Sequence, residues 1–263
     1  MKRHPPKSHF FLVYFFLILD LLRFAMDVAT AALADAMHTA AVNGNIQEVQ
    51  NVLAQVSEMQ LSVASDTLIR STAMLAAVRT GRAELVEFLL RCKVCPNTPD
   101  DEGQTPLIIA AAEDHLQIVN LLLQFDCSVN TPGMGGGTAL FQAAYYGSDR
   151  ALVALLAAPG CDISFANEEG ETPLHAAVKR GHGITVSILL EAGCARDAVD
   201  HDGDNAVHIA VIERRGDIVN ILLAAGCDPT ITNLNNRCAF TTALNDTHND
   251  DIVYLMAVHN NLT

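Results

Sequence analysis

Tryptophan is absent from this 263-residue chain, and aromatic residues of all kinds make up only 5% of it. A core without large rings has to be built from Leu, Ile, Val and Ala in close contact, which suits short helices stacked tightly. Positive charge is scarce as well. Sixteen Lys and Arg stand against thirty Asp and Glu, a net charge of −14 that repels phosphate backbones and anionic headgroups, so nucleic acid is excluded as an expected partner. Half of the residues are hydrophobic, enough to rule out general disorder. No G-x-S-x-G, no P-loop and no G-x-G-x-x-G opening a helix occurs, and the glycine-rich stretch from Gly133 to Gly137 lacks the lysine that a phosphate-binding loop needs.

What is present is a period. A short signature recurs at Thr105-Pro106-Leu107, Thr138-Ala139-Leu140, Thr172-Pro173-Leu174-His175 and Asn205-Ala206-Val207-His208, at spacings of 33, 34 and 33 residues, with an earlier copy at Thr72-Ala73-Met74. About 17 residues after each stands a leucine pair, from Leu89-Leu90 to Leu222-Leu223, and a third landmark follows at Asp126-Cys127, Gly160-Cys161, Gly193-Cys194 and Gly226-Cys227. Thr or Asn can cap a helix start and Pro is tolerated in the first turn, so each signature predicts a helix N-terminus. Gly81, Gly147 and Gly181 mark where that helix stops, and a second helix carrying the leucines follows. Ile118, Val119, Leu121, Leu122 and Leu123 form a stripe too wide for one repeat to cover, which requires neighbours on both sides. Thr98 to Gly103 and Asp200 to Gly203 are turn chemistry between copies.

These residues resemble the ankyrin repeat, most closely at Gly170-Glu171-Thr172-Pro173-Leu174-His175-Ala176-Ala177 and on to Gly181-His182. The resemblance implies an all-α solenoid of helix-turn-helix repeats of about 33 residues linked by β-hairpin loops, with five good copies over 69–234. A divergent first copy is expected at 27–68 and a divergent capping copy at 235–263. It also implies a non-catalytic, monomeric scaffold or adaptor whose concave face binds another protein, with no cofactor and no metal. His175 and His208 fall in the family's TPLH slot, where the imidazole serves backbone hydrogen bonding between repeats. Cys92-Lys93-Val94-Cys95 is a lone C-x-x-C without a second ligand pair. The acidic clusters Asp100-Asp101-Glu102, Glu168-Glu169 and Asp200 with Asp202 lack cation-loop spacing. Repeats about 10 Å apart hold cysteines too far apart for disulfides, so Cys127, Cys161, Cys194 and Cys227 are expected free, in a reducing, cytoplasmic setting.

Partner contacts in this family involve the turn tips and the variable end of the first helix. Those positions here include Arg79, Glu113, Tyr145, Tyr146, Lys179, Arg180 and Glu213, with Phe141 one turn before Tyr145 in the histidine slot. Adjacent tyrosines match the anchors enriched at interface hot spots. The acidic tips predict a partner with a basic surface.

Residues 1–26 differ in kind. Lys2, Arg3 and Lys7 precede an unbroken apolar run from Phe10 to Leu19, after which Asp20 and Arg23 interrupt it. A membrane anchor through residues 8–26, a cleaved signal peptide, a capping helix and an upstream extension all remain open, and the first supports an alternative of a membrane-tethered protein with a soluble repeat domain. Fractionation of cells expressing the full chain or residues 27–263 separates these readings. Sedimentation of only the full chain is expected of an anchor, glycosylation or processing of a signal, and recovery of both unmodified in the supernatant of a cap or extension.

Overall fold

The computed structural model describes residues 28–59, 63–245 and 250–262, with side chains to residue 258. The apolar run of residues 10–19 lies outside the described residues, and among those described no helix is long and apolar enough to cross a membrane. Helix follows helix along the whole array. A first helix, α1, covers 28–43. After it come α2 (Ile46–Glu58), α3 (Val63–Arg79), α4 (Ala83–Arg91), α5 (Pro106–Ala112), α6 (Leu116–Gln124) and α7 (Ala139–Tyr146). The series continues with α8 (Asp149–Leu156), α9 (Pro173–Arg180), α10 (Gly183–Glu191), α11 (Ala206–Ile212), α12 (Gly216–Ala224), α13 (Ala239–Leu244) and α14 (Asp250–Leu262). Odd helices from α3 to α13 pack on one another in one row, and even helices from α4 to α14 in a second row behind it.

The helix starts follow the expected chemistry in most repeats. Thr105 and Thr138 each accept from the backbone N–H three residues on, at 3.3 Å, and Asn205 does the same at 3.1 Å. Thr72 departs from the expectation. It sits inside α3, which begins nine residues earlier at Val63, and its hydroxyl donates to the Leu68 carbonyl instead of capping. An unbroken stretch of helix-compatible residues from Val63 onward, without Pro or Gly, lets the helix run through the signature. The boundary expected at 68/69 therefore falls within a helix.

The core repeats as the sequence does. Leu89, Leu122, Leu155, Leu189 and Leu222, the first members of the five leucine pairs, are all 0% exposed. Between the helices of the front row sits a second series, one alanine per repeat: Ala40, Ala77, Ala110, Ala143, Ala177, Ala210 and Ala243, every one also 0% exposed. A small side chain suits a position buried among closely packed helices.

The linking loops are short hairpins, closed by one backbone bond across each tip, such as Asp100 N–H to Gln104 and Asp200 N–H to Asp204. Among the described residues the only β pairing outside helices is two isolated bridges, Val199 with Asn205 and Thr232 with Cys238. Four of the tips are also braced by an Asx turn: Asp100 Oδ1 accepts from Glu102 N–H (3.0 Å) and Gln104 N–H (2.8 Å), and Asn167, Asp200 and Asn233 repeat the pattern. The tip at 133–137 has Gly133 in that place and closes by backbone alone. Successive tips are tied by backbone bonds from Glu168 N–H to Gly135, His201 N–H to Glu169 and Leu234 N–H to Asp202. Gly136, Gly170 and Gly203 permit this approach, since a Cβ at any of them would meet the next tip's backbone at 2.8–2.9 Å.

Cys127, Cys161, Cys194 and Cys227 are free thiols, as are Cys92, Cys95 and Cys238. Burial pushes the first three from the ordinary 9.0 up to about 11 and Cys227 to about 12, so they are packing groups with little thiolate at neutral pH.

Ala143→Leu is expected to cost about 2 kcal/mol or more by overpacking, because its surroundings are helices fixed from both sides. Ala192→Leu, at an exposed position, is expected to stay within about 0.5 kcal/mol. Urea denaturation of both variants reads the difference.

Candidate partner-binding groove

Counted from the Thr or Asn of each repeat signature, the seventh and eighth positions are the ones the fold leaves free. The seventh reads Arg79, Ala112, Tyr145, Lys179 and Ile212; the eighth reads Thr80, Glu113, Tyr146, Arg180 and Glu213. They lie at the end of each front-row helix, beside the turn tips. Between helix ends and tips run two adjoining hollows. One, of about 490 Å³, is lined by Met134, Phe141, Tyr145, Lys179, Arg180 and Glu213 together with tip residues 167–169. The other, of about 430 Å³, shares Glu168, Glu169, Glu171, Lys179 and Glu213 with it and extends to Asp200, His201, Asp202 and Ile212.

Five of the eight residues expected at the site thus come together: Phe141, Tyr145, Lys179, Arg180 and Glu213. Phe141 is only 6% exposed and contributes to the floor. Tyr146 is 55% exposed and stands beside the hollow, its ring edge-on to Tyr145 with centroids 5.1 Å apart. Arg180 stacks its guanidinium over the Tyr145 ring at 4.6 Å, fixing that ring from the other side. Lys179 Nζ donates to Glu171 Oε1 at 2.7 Å, and its pKa is held above 10.5 by that bond first, with Glu169 and Glu213 adding. Arg79 and Glu113 are exposed but line neither hollow, and Arg79 is ion-paired to Asp100 one repeat on. Met134, 67% exposed, was not singled out as a wall residue by the sequence. The signal available was a methionine between glycines, where no helix offers it a place to bury.

Among the described residues no group of three or more His, Cys, Asp or Glu is arranged to hold a metal ion. His175 and His208 act as internal braces. Nδ1 of His175 accepts from Thr172 N–H at 2.9 Å, while its Nε2–H donates to the Ala198 carbonyl of the next turn at 3.0 Å. His208 reaches the Arg237 carbonyl in the same way. With Nδ1 accepting, His175 has to be a neutral ring, and burial lowers its pKa below 6.5 despite the nearby Asp200.

A family model described as ankyrin repeats in three copies matches residues 37–133 and 140–233. The chain belongs to the ankyrin-repeat family. The crystal structure of the ankyrin repeat domain of Bcl-3, described as a unique member of the IkappaB protein family, is similar with a TM-score of 0.73 and 23% identity over 84% of this chain and 97% of that one. At that identity the likeness shows the ankyrin fold and nothing of the partner. No curated protein matches the sequence. Ankyrin repeats are in general protein-interaction modules, and the groove lies where the family's variable positions fall.

Because His175 is neutral when folded and protonates readily when unfolded, its contribution to stability is complete above pH 6.5 and declines as pH falls below it. His175→Phe, which copies the residue at Phe141, is expected to lower the slope of stability against pH below about pH 6.5 by up to about 1.4 kcal/mol per pH unit. Chemical denaturation at several pH values measures it.

Proposed function

We propose that this chain is a non-catalytic adaptor or scaffold that holds another protein in the groove between the turn tips and the front-row helix ends of its central repeats. The observation that carries this reading is the contrast between adjacent rows. The fifth position of every repeat is a buried alanine, while the seventh and eighth, exposed or half-buried at the ends of the same helices, vary from arginine to tyrosine to isoleucine. Residues the core does not require, gathered on one hollow face, are what a partner can read. Tyr145 supplies a ring held in place before binding, which lowers the ordering cost of contact. The seven free cysteines support a reducing, cytoplasmic location.

A second reading tethers this array to a membrane through residues 8–26. It is favoured by the Phe10–Leu19 run after three basic residues. Binding by the groove is the same in both.

Tyr145→Ala combined with Tyr146→Ala is expected to leave thermal unfolding nearly unchanged, since neither ring is buried, and to weaken binding to a protein recovered by affinity pull-down by more than about 2 kcal/mol. Equal affinity of the double variant removes the tyrosine pair from the interface.

A further inference from the structure

The two hollows are one trough, because they share a wall. Its charge is lopsided. Glu168, Glu169, Glu171, Asp200, Asp202 and Glu213 face it, six carboxylates around the single ammonium of Lys179. Lys179 is already engaged by Glu171, and Arg180 at the rim has its guanidinium over the Tyr145 ring. Glu168, Glu169, Asp202 and Glu213 are exposed and make no ion pair among the described residues. The tips that carry Glu168, Glu169 and Asp202 are tied by backbone bonds of 3.0–3.1 Å, so these carboxylates stand at a fixed spacing of one repeat. At either end the lining turns apolar, with Met134 beside Tyr145 and Phe141 at one end and Ile212, 51% exposed, at the other.

Apolar shelf and acidic box in sequence define a complement. We infer that the trough receives an extended segment of a partner protein that lays an aliphatic or aromatic side chain on the Met134–Tyr145 shelf and sets one or two Arg or Lys residues, a few positions along, against the carboxylates of Glu169, Asp202 and Glu213. This rests on the groove-binding reading and specifies its occupant. Long basic side chains suit both parts, because their stems cover apolar surface such as Ile212 while their heads reach the carboxylates. Acidic and phosphorylated segments are repelled by the same field. Three repeats at about 10 Å spacing span about 20 Å, the reach of about six extended residues.

The probe is an array of immobilised peptides of about 10 residues, long enough to exceed that span, varied in charge and apolar content and incubated with the full chain. Retained peptides are expected to combine Arg or Lys with Leu, Met or Phe within about four residues, and to bind at least tenfold more weakly as salt rises from about 0.05 to 0.3 M. Glu169→Gln, Asp202→Asn and Glu213→Gln together, all at exposed positions, are expected to lower their affinity by about tenfold or more with unfolding unchanged. Selection of neutral or acidic peptides, retention of none, or indifference of basic peptides to the triple variant overturns the inference. Loss of binding with Tyr145→Ala but not with the triple variant overturns it while leaving groove binding intact; indifference to both variants overturns the two together.

Discussion

Everything else in this structure depends on how closely the front-row helices approach one another. That distance is set by one methyl group per repeat, at Ala40, Ala77, Ala110, Ala143, Ala177, Ala210 and Ala243. At the inner positions, Ala110, Ala143, Ala177 and Ala210, a larger side chain has little room, because the helix on each side is itself held by the next repeat and by the leucines of the back row. The same closeness lets His175 reach the Ala198 carbonyl, and it brings the turn tips near enough for their backbones to pair. Contacts of this kind pass only between neighbours, so stability accumulates along the array one interface at a time.

The tips show how local chemistry and long-range contact divide the work. Within a tip, an Asx side chain at Asp100, Asn167, Asp200 or Asn233 satisfies two backbone N–H groups and shapes the turn. Between tips, glycine is required because a Cβ would collide with the next backbone. Gly133 breaks the first pattern without breaking the second: that tip lacks its Asx side chain, yet Gly135 still accepts from Glu168 N–H. It is also the tip that offers Met134 to the groove, so local clamping is weakest where an apolar contact is presented.

Period, helix order and the buried leucines were legible in the sequence because each rests on short-range signals repeated many times. The limits came where a contact spans repeats or where a signal is missing. Thr72 carries the signature of a helix start, but nothing from Val63 to Thr72 stops a helix, so α3 begins earlier and the signature lies within it. The loops read as hairpins from their turn residues, but how far strand pairing extends depends on flanking geometry that those residues do not specify, and among the described residues it stops at isolated antiparallel bridges. At the groove, helix-end positions were found from spacing alone. Spacing could not distinguish Arg79, tied to Asp100 in the next repeat, from Lys179 and Arg180, which share a hollow with Tyr145.

The same repetition that makes the fold legible tells which residues are free of it. Along the fifth position nothing but alanine occurs, and along the seventh the sequence changes chemistry at every step, although both belong to the same helices and differ by two residues. A packing constraint acts equally on all repeats, so it cannot produce a change that appears in only a few. Tyr145, the Lys179–Glu171 pair and the exposed carboxylates of Glu169 and Glu213 are such local departures, and they adjoin one another. Their grouping in the central repeats also puts them where both neighbours hold the backbone rigid, which lowers the ordering cost of binding. The stack therefore supplies position and the departures supply recognition.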